Sequence, residues 1–269
     1  PKGSDLMASL KTFPAKRINQ ILSWLLVLVI LYSFISLDYS NLAALRSRDI
    51  RHMFAGLLKP DWSYVYDQSS EDLAHLMLET LAIAFYGTLL GSVLSLPFVL
   101  LASNVVWGSW RFIPAFGRGL LNLMRSIPAL IYAILFVRIV GPGAFAGALA
   151  LGVQLIGMLG KLVSEELDRS DPIPVEAMQA SGASSLQSFQ YARIPQVVSL
   201  AVSHVINHFE INVRSATTLG LVGAGGIGAP VIFALQQRNW NRVSIILLAI
   251  IIVVIIIDFI STRLRKALR

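Results

Sequence analysis

The chain of 269 residues contains no cysteine. That excludes a disulfide framework, a thiolate metal site and a cysteine nucleophile, and it leaves the redox compartment unreadable. Charge is equally scarce. Only 14% of the residues are Asp, Glu, Lys or Arg, against 55% hydrophobic ones, and the mean hydropathy is +0.69. A soluble domain carries about 25% charged residues. Fifteen acidic and 22 basic side chains are too few to cover a soluble surface of this size, so most of the outer surface faces lipid. The same composition argues against disorder. Also missing are the phosphate-binding G-x-x-x-x-G-K-[ST], H-E-x-x-H and G-x-S-x-G, so nothing points to ATP hydrolysis, zinc-dependent or serine-based catalysis by this chain.

The net charge of +7 does not read as a nucleic-acid footprint. Its basic residues cluster beside apolar runs: Lys11, Lys16 and Arg17 before the first, and Arg263, Arg265, Lys266 and Arg269 after the last. In a membrane protein such clusters set orientation, because basic loops are retained in the cytoplasm. A spanning helix needs about 20 mostly apolar residues. Six stretches qualify: 20–37, 73–102, 120–140, 144–163, 196–219 and 243–260. The first follows a basic segment but is longer than a signal core and lacks a clear cleavage site, so it reads as an uncleaved anchor. Residues 1–6 precede Met7, which reads as a native start. With six spans, the larger share of Lys and Arg falls on the side of the N-terminus, Lys161, Arg169 and Arg193 among them. Both termini are therefore expected in the cytoplasm.

Two loops stand out. Residues 38–72 form an outer loop in which Ile50, Met53, Phe54, Leu57 and Leu58 recur at helical spacing. They predict a short amphipathic helix, lying on the outer leaflet or packed on the ends of the spans. Residues 164–195 form the longest inner loop. Pro172 and Pro174 open an Ala-, Gln- and Glu-rich segment that Asp171 can cap, Gly182 breaks it, and Leu186–Tyr191 resumes a helix. A helix–turn–helix is thus presented to the cytoplasm.

The fifth span carries the sharpest physical signal. Asn207, His208, Glu210, Asn212 and Arg214 fall within membrane depth or near its outer edge. Charges there are costly and belong on a cavity or in a pair. Glu210 and Arg214 lie four apart with the acid first, the favourable order. They line a polar pathway or act as structural glue between helices. His204 and His208 share a helical face, which allows metal ligation but suits helix–helix hydrogen bonding or pore lining as well. In the third span, Arg125 precedes Ser126-Ile127-Pro128, a predicted kink or helix restart. Arg138 lies near the outer end of that span, where it can snorkel. An excess of arginine at depth suits an anionic solute. The run GAGGIG at 223–228 matches the G-x-G-x-x-G dinucleotide fingerprint, but it follows no strand and lacks the acidic partner. It reads instead as a tight, flexible re-entrant or hinge segment on the outer side, where close backbone approach needs glycine. The pairs Gly87/Gly91 and Gly143/Gly147 are small-residue motifs for close helix packing.

The inner loop resembles a known family. Glu176-Ala177-Met178, then Gly182, then Ala192-x-Ile194-Pro195 is similar to the E-A-A…G…I-x-L-P pattern of ABC-importer permeases, departing at Met178 and at the aliphatic pair. The runs Phe209–Thr217, Gly220–Gly228, Gly141–Gly147 and Gly160–Glu165, and the terminal Asp258–Arg265, resemble the phosphonate branch, with phosphite and phosphate-ester importers closely related.

The resemblance covers roughly 73–265. It implies an all-α polytopic protein of six transmembrane helices with the type I importer fold. Residues 1–72 then form an anchor helix and outer loop, and 73–265 the permease core. It further implies a homodimer, two cytoplasmic ATPase subunits that bind MgATP, an external solute-binding protein, and alternating access. The chain itself is expected to need no cofactor and no metal.

On this footing Arg214 and Asn212 are expected to line the pathway near the two-fold axis, with Glu210 positioning Arg214. Arg125 and Ser126 join them, and Glu176, Ala177, Met178, Gly182 and Ala183 couple to the ATPase. Importers of another solute, such as methionine or phosphate, share the coupling loop. An ATP-independent carrier using Glu210 and the histidines is the reading from another class.

Overall fold

The computed structural model describes residues 15–37, 47–66, 72–108 and 110–267, without the side chains of 15–19 and 47–49. Met7, Lys11 and much of the outer loop lie outside these residues. The chain divides into two compact units, Pro1–Met53 and Phe54–Arg269. The first contains α1 (Ala15–Ser36) and most of α2 (Ser47–Leu57). No strand occurs among the described residues.

In the second unit, α3 (Leu73–Ala102) and α7 (Ala144–Asp168) form the central pair. Glycine sets their separation. A Cβ on Gly91 would meet the Gly152 carbonyl oxygen at 2.7 Å and Leu155 Cβ at 2.6 Å. In lipid, where apolar burial does not drive helix association, such close backbone approach is what brings dispersion contacts within range. Ile83, Leu151, Val213 and Leu219 pack in the middle of the unit, and Val99, Leu155, Leu159, Val163, Leu167 and Val197 at the end near residues 164–195.

The six apolar stretches are helical except at Leu37 and at Ile127–Pro128. Among the described residues, three helices are individually long and apolar enough to cross a membrane: α3, α7 and α12 (Trp240–Ala267). The expected third span is not one helix. It consists of α5 (Phe112–Ser126) and α6 (Ala129–Val140), bent by 83° across Ile127–Pro128. Pro128 has no N–H to continue the ladder, and it forces Ile127 into an extended conformation (φ −90°, ψ 122°). The helix α10 (Ile194–Leu219) is long enough to span, but its polar residues keep it below the hydropathy of the others. The apolar part of α1, Gln20–Ser36, is short for a span.

The expected amphipathic helix of the outer loop is α2. Its last turn packs on α12: Ser244 Oγ donates to the Leu57 carbonyl at 2.6 Å, and Gly56 lies against Trp240. Phe54 and Leu58 stay exposed.

The loop 164–195 folds as α8 (Ile173–Ala180), a turn, α9 (Ser185–Ser188) and a wide π turn (Phe189–Arg193) leading into α10. Asp171 accepts from Ile173 N at 3.0 Å. Gly182 takes φ +90°, Ala183 N donates to Met178 O and Gly182 N to Gln179 O, both at 3.0 Å. This is the paired bonding of a Schellman stop, which only a residue without Cβ enters without strain. Ser184 and Gln187 then cap α9 reciprocally.

The GAGGIG run is a tight turn of close backbone approach. Gly223, Gly225 and Gly226 all have positive φ. Ile227 N donates to Thr80 Oγ1 at 2.9 Å, and a Cβ on Gly226 would meet the same oxygen at 2.6 Å. The segment ends in α11 (Gly228–Gln236).

Candidate functional site

The polar face of α10 is bonded to α3 and α12. Asn212 is buried, and its Nδ2 donates to Thr88 Oγ1 of α3 at 2.9 Å. Thr88 in turn donates to Ala84 O at 2.7 Å. Thr88 sits midway along the 30-residue α3. The polar run therefore lies at mid-helix depth rather than at the outer edge, and the Asn212 amide is spent on helix pairing.

Glu210 is buried and holds two guanidinium groups. Arg214 Nη2 lies 2.8 Å from Oε1, and Arg265 Nη2 lies 3.5 Å from Oε2. Arg265 Nη1 also donates to Asn207 Oδ1 at 2.6 Å. A carboxylate removed from water needs such partners, because its desolvation is large. The two arginines differ in setting. The Arg214 side chain is 53% exposed while that of Arg265 is 25% exposed, so Arg214 presents its free face to an open region. Glu210 does orient Arg214 as the i,i+4 spacing predicts. In the sequence Arg265 is one more basic residue of the terminal cluster, and nothing local marks it as a partner of Glu210.

Arg125 and Ser126 end α5 at the break. Ser126 Oγ donates to Asn122 O at 2.7 Å, and Tyr132 Oη donates to Met124 O at 2.9 Å, satisfying a carbonyl the break sets free. A Cβ on Gly157 would meet Arg125 N at 2.7 Å, so the end of α5 is pressed against α7. Here the structure opens a cleft of about 420 Å³ lined by Arg125, Ser126, Met158, Lys161, Leu162, Glu165 and His208. Lys161 Nζ is 3.0 Å from Asn122 Oδ1 and 3.6 Å from Glu165 Oε1. Arg125 is in no ion pair among the described residues.

The two histidines separate. His208 lines this cleft, whereas His204 lines another, about 410 Å³, with Ser203, Asn207, Thr262, Arg265 and Lys266. No group of three or more His, Asp or Glu among the described residues is arranged to hold a metal ion.

At the same end of the unit, Asp168 closes α7 as a hub. It accepts from Ser103 Oγ (2.7 Å), Asn104 Nδ2 (3.0 Å), Val105 N (3.2 Å) and Arg118 Nη2 (3.1 Å). Beyond it, the α8–α9 loop exposes Glu176 and Ala177, with Ile173 69%, Leu186 73% and Tyr191 65% exposed.

Residues 109–269 match the family described as binding-protein-dependent transport system inner membrane component. Over 211 residues the chain is 34% identical to the putative phosphite transport system permease protein HtxC of Stutzerimonas stutzeri, covering 76% of this chain and 74% of the relative. The chain belongs to this permease family. The permease is also 42% identical over 118 residues to the putative cryptic phosphonate transport system permease protein PhnE2 of Escherichia coli, covering 44% of this chain and 97% of the relative. Among solved structures, it resembles the MetNI methionine ABC transporter in inward-facing conformations. That match has a TM-score of 0.63 at 25% identity, over 73% of this chain and 96% of the other. The permease is thus an all-helical, multi-pass inner-membrane transport subunit of the ABC-importer type, and not itself an enzyme.

Proposed function

We propose that this permease carries a phosphonate, or a closely related phosphorus oxyanion such as phosphite, into the cytoplasm, driven by ATP hydrolysis on a separate subunit. In this reading two copies of the chain pair across a two-fold axis, since a single α10 supplies only half a pathway. Both termini and the α8–α9 loop lie on the cytoplasmic side, and the GAGGIG turn lies outside, where the solute-binding protein delivers its cargo.

The observation that carries the mechanism is the exposed α8–α9 loop. Ile173, Leu186 and Tyr191 form apolar surface on a polar, capped, sharply turned segment. Exposed apolar groups rimmed by polar ones suit a protein partner. We assign that partner as two ATPase subunits binding MgATP, with Glu176, Ala177, Met178, Gly182 and Ala183 as the coupling segment. ATP-driven closure of the partner then moves the loop and, through α10, the polar face above it. The relatives' names and the positive excess in the clefts support an oxyanion cargo. Arg214, Arg125 and Ser126 serve as pathway residues, Glu210 orients Arg214, and Asn212 holds α10 against α3.

The test is ATP hydrolysis by the permease reconstituted with its ATPase and binding protein, with and without 2-aminoethylphosphonate. Stimulation that requires the loaded binding protein is expected. Stimulation by phosphite or phosphate alone keeps the mechanism and changes the cargo, and stimulation by methionine moves the protein to the neighbouring branch. Failure of any ATPase subunit to associate overturns the coupling reading in favour of an ATP-independent carrier.

A further inference from the structure

The cleft between α5, α7 and α10 has a donor and acceptor pattern that its charge alone does not describe. Its cations are Arg125, in no ion pair among the described residues, and Lys161, whose ammonium carries three donors and spends them only in part on Asn122 and Glu165. Its anion is Glu165. Two cations against one carboxylate leave one unit of positive charge.

Two further groups in the wall accept hydrogen bonds. His208 Nδ1 lies 2.9 Å from His204 O, and a carbonyl oxygen only accepts, so the ring proton sits on Nδ1. In the uncharged form of the ring Nε2 is then a lone pair. Ser126 has one hydroxyl proton, and it is committed to Asn122 O at 2.7 Å, which leaves its oxygen as an acceptor. Both residues line the cleft.

We infer that this cleft is a binding station for a singly charged oxyanion that still carries a proton, a hydrogen phosphonate or hydrogen phosphite, with Arg125 and Lys161 taking the P–O⁻ oxygens and His208 and Ser126 accepting from the P–OH. A fully deprotonated oxyanion of the same shape leaves these acceptors facing lone pairs. At the buried His208 ring, an unmade hydrogen bond with like charge density against it is how a polar site rejects an isostere. The cleft therefore separates phosphorus from sulfur oxyanions inside the permease itself, apart from any choice made by a solute-binding protein. The inference rests on the oxyanion reading above and assigns Lys161 and His208 a role that reading does not require.

The decisive pair of ligands is methylphosphonate and methanesulfonate, compared where methylphosphonate is a monoanion. They match in size and charge and differ by one proton donor. Binding is read as the ligand-induced rise in melting temperature of the permease–ATPase complex in lipid nanodiscs, without solute-binding protein. Methylphosphonate is expected to bind about tenfold more tightly than methanesulfonate. Arg125→Met weakens both ligands together. His208→Met lowers the ratio toward one while the methanesulfonate affinity stays.

Equal affinities in the wild type, no binding of either anion, or indifference of both to Arg125→Met overturns the inference. Should His208→Met abolish binding of both ligands, Ser126→Ala, on an exposed side chain, carries the test: a reduced ratio supports the station and an unchanged ratio overturns it. Failure of coupled oxyanion transport in the reconstituted importer, with the binding ratio intact, counts against the proposed function and not against this station.

Discussion

Arg265 Nη1 lies 2.6 Å from Asn207 Oδ1, across 58 positions of sequence, and the same guanidinium faces Glu210 at 3.5 Å. The end of α12 is thereby tied to the middle of α10. Glu210 in turn holds Arg214, so one carboxylate links the terminal helix to the exposed guanidinium of the polar face.

This linkage predicts non-additive variants. Arg265→Met and Glu210→Gln should each lower transport severalfold, and their double variant should do little more harm than Glu210→Gln alone. A coupling of about 1–3 kcal/mol is expected for groups within one network. Transport rates of the four proteins in proteoliposomes measure it. Strict additivity would show that Arg265 acts elsewhere.

Asp168 predicts a stability effect without a pathway effect. Asp168→Ala strands Ser103, Asn104, Val105 and Arg118 at once, and a hydrogen bond to a charged group contributes about 1.5–3 kcal/mol. The purified permease should melt several degrees lower, with solute selectivity unchanged. An unaltered melting curve would mean that water replaces the carboxylate at no cost.

Gly182 predicts uncoupling. A side chain at φ +90° is strained, about 1–2 kcal/mol, and the Schellman stop that orients α9 would relax. Gly182→Val is expected to assemble poorly with the ATPase or to hydrolyse ATP without transport. Wild-type coupling ratios in this variant would detach the turn from the coupling function.

Gly91 predicts the cost of separating the central pair. Gly91→Leu drives its side chain into Gly152 O and Leu155, and overpacking of this kind costs about 1–3 kcal/mol. Gly91→Ala should be milder but still destabilising, since the 2.7 Å approach is to backbone, which cannot rotate away. Melting temperatures in detergent rank the two variants, and an Ala variant as stable as the parent would show that α3 and α7 have room to part.

Much of the fold is written in local features. The apolar runs, the break at Pro128, the stop at Gly182 and the turn at 223–228 depend on backbone sterics and on neighbours within a few residues, so reading along the chain finds them. The pairing of Glu210 with Arg214 is of the same kind, because helical geometry alone brings i and i+4 together. The bend at Pro128 shows the limit: a kink or helix restart is legible, but the 83° it takes is set by where α5 and α6 each pack.

Which distant groups meet is decided by helix packing. The sequence determines that His204 and His208 share a helical face, yet they line different clefts because separate neighbours crowd α10 on either side. Asn212 belongs to Thr88, Arg265 to Asn207 and Glu210, and Asp168 to Arg118 for the same reason. Such contacts follow from the depth and tilt at which helices far apart in the chain come to rest. Those are fixed by close approach at residues such as Gly91 and Gly157 and not by any periodicity along one helix.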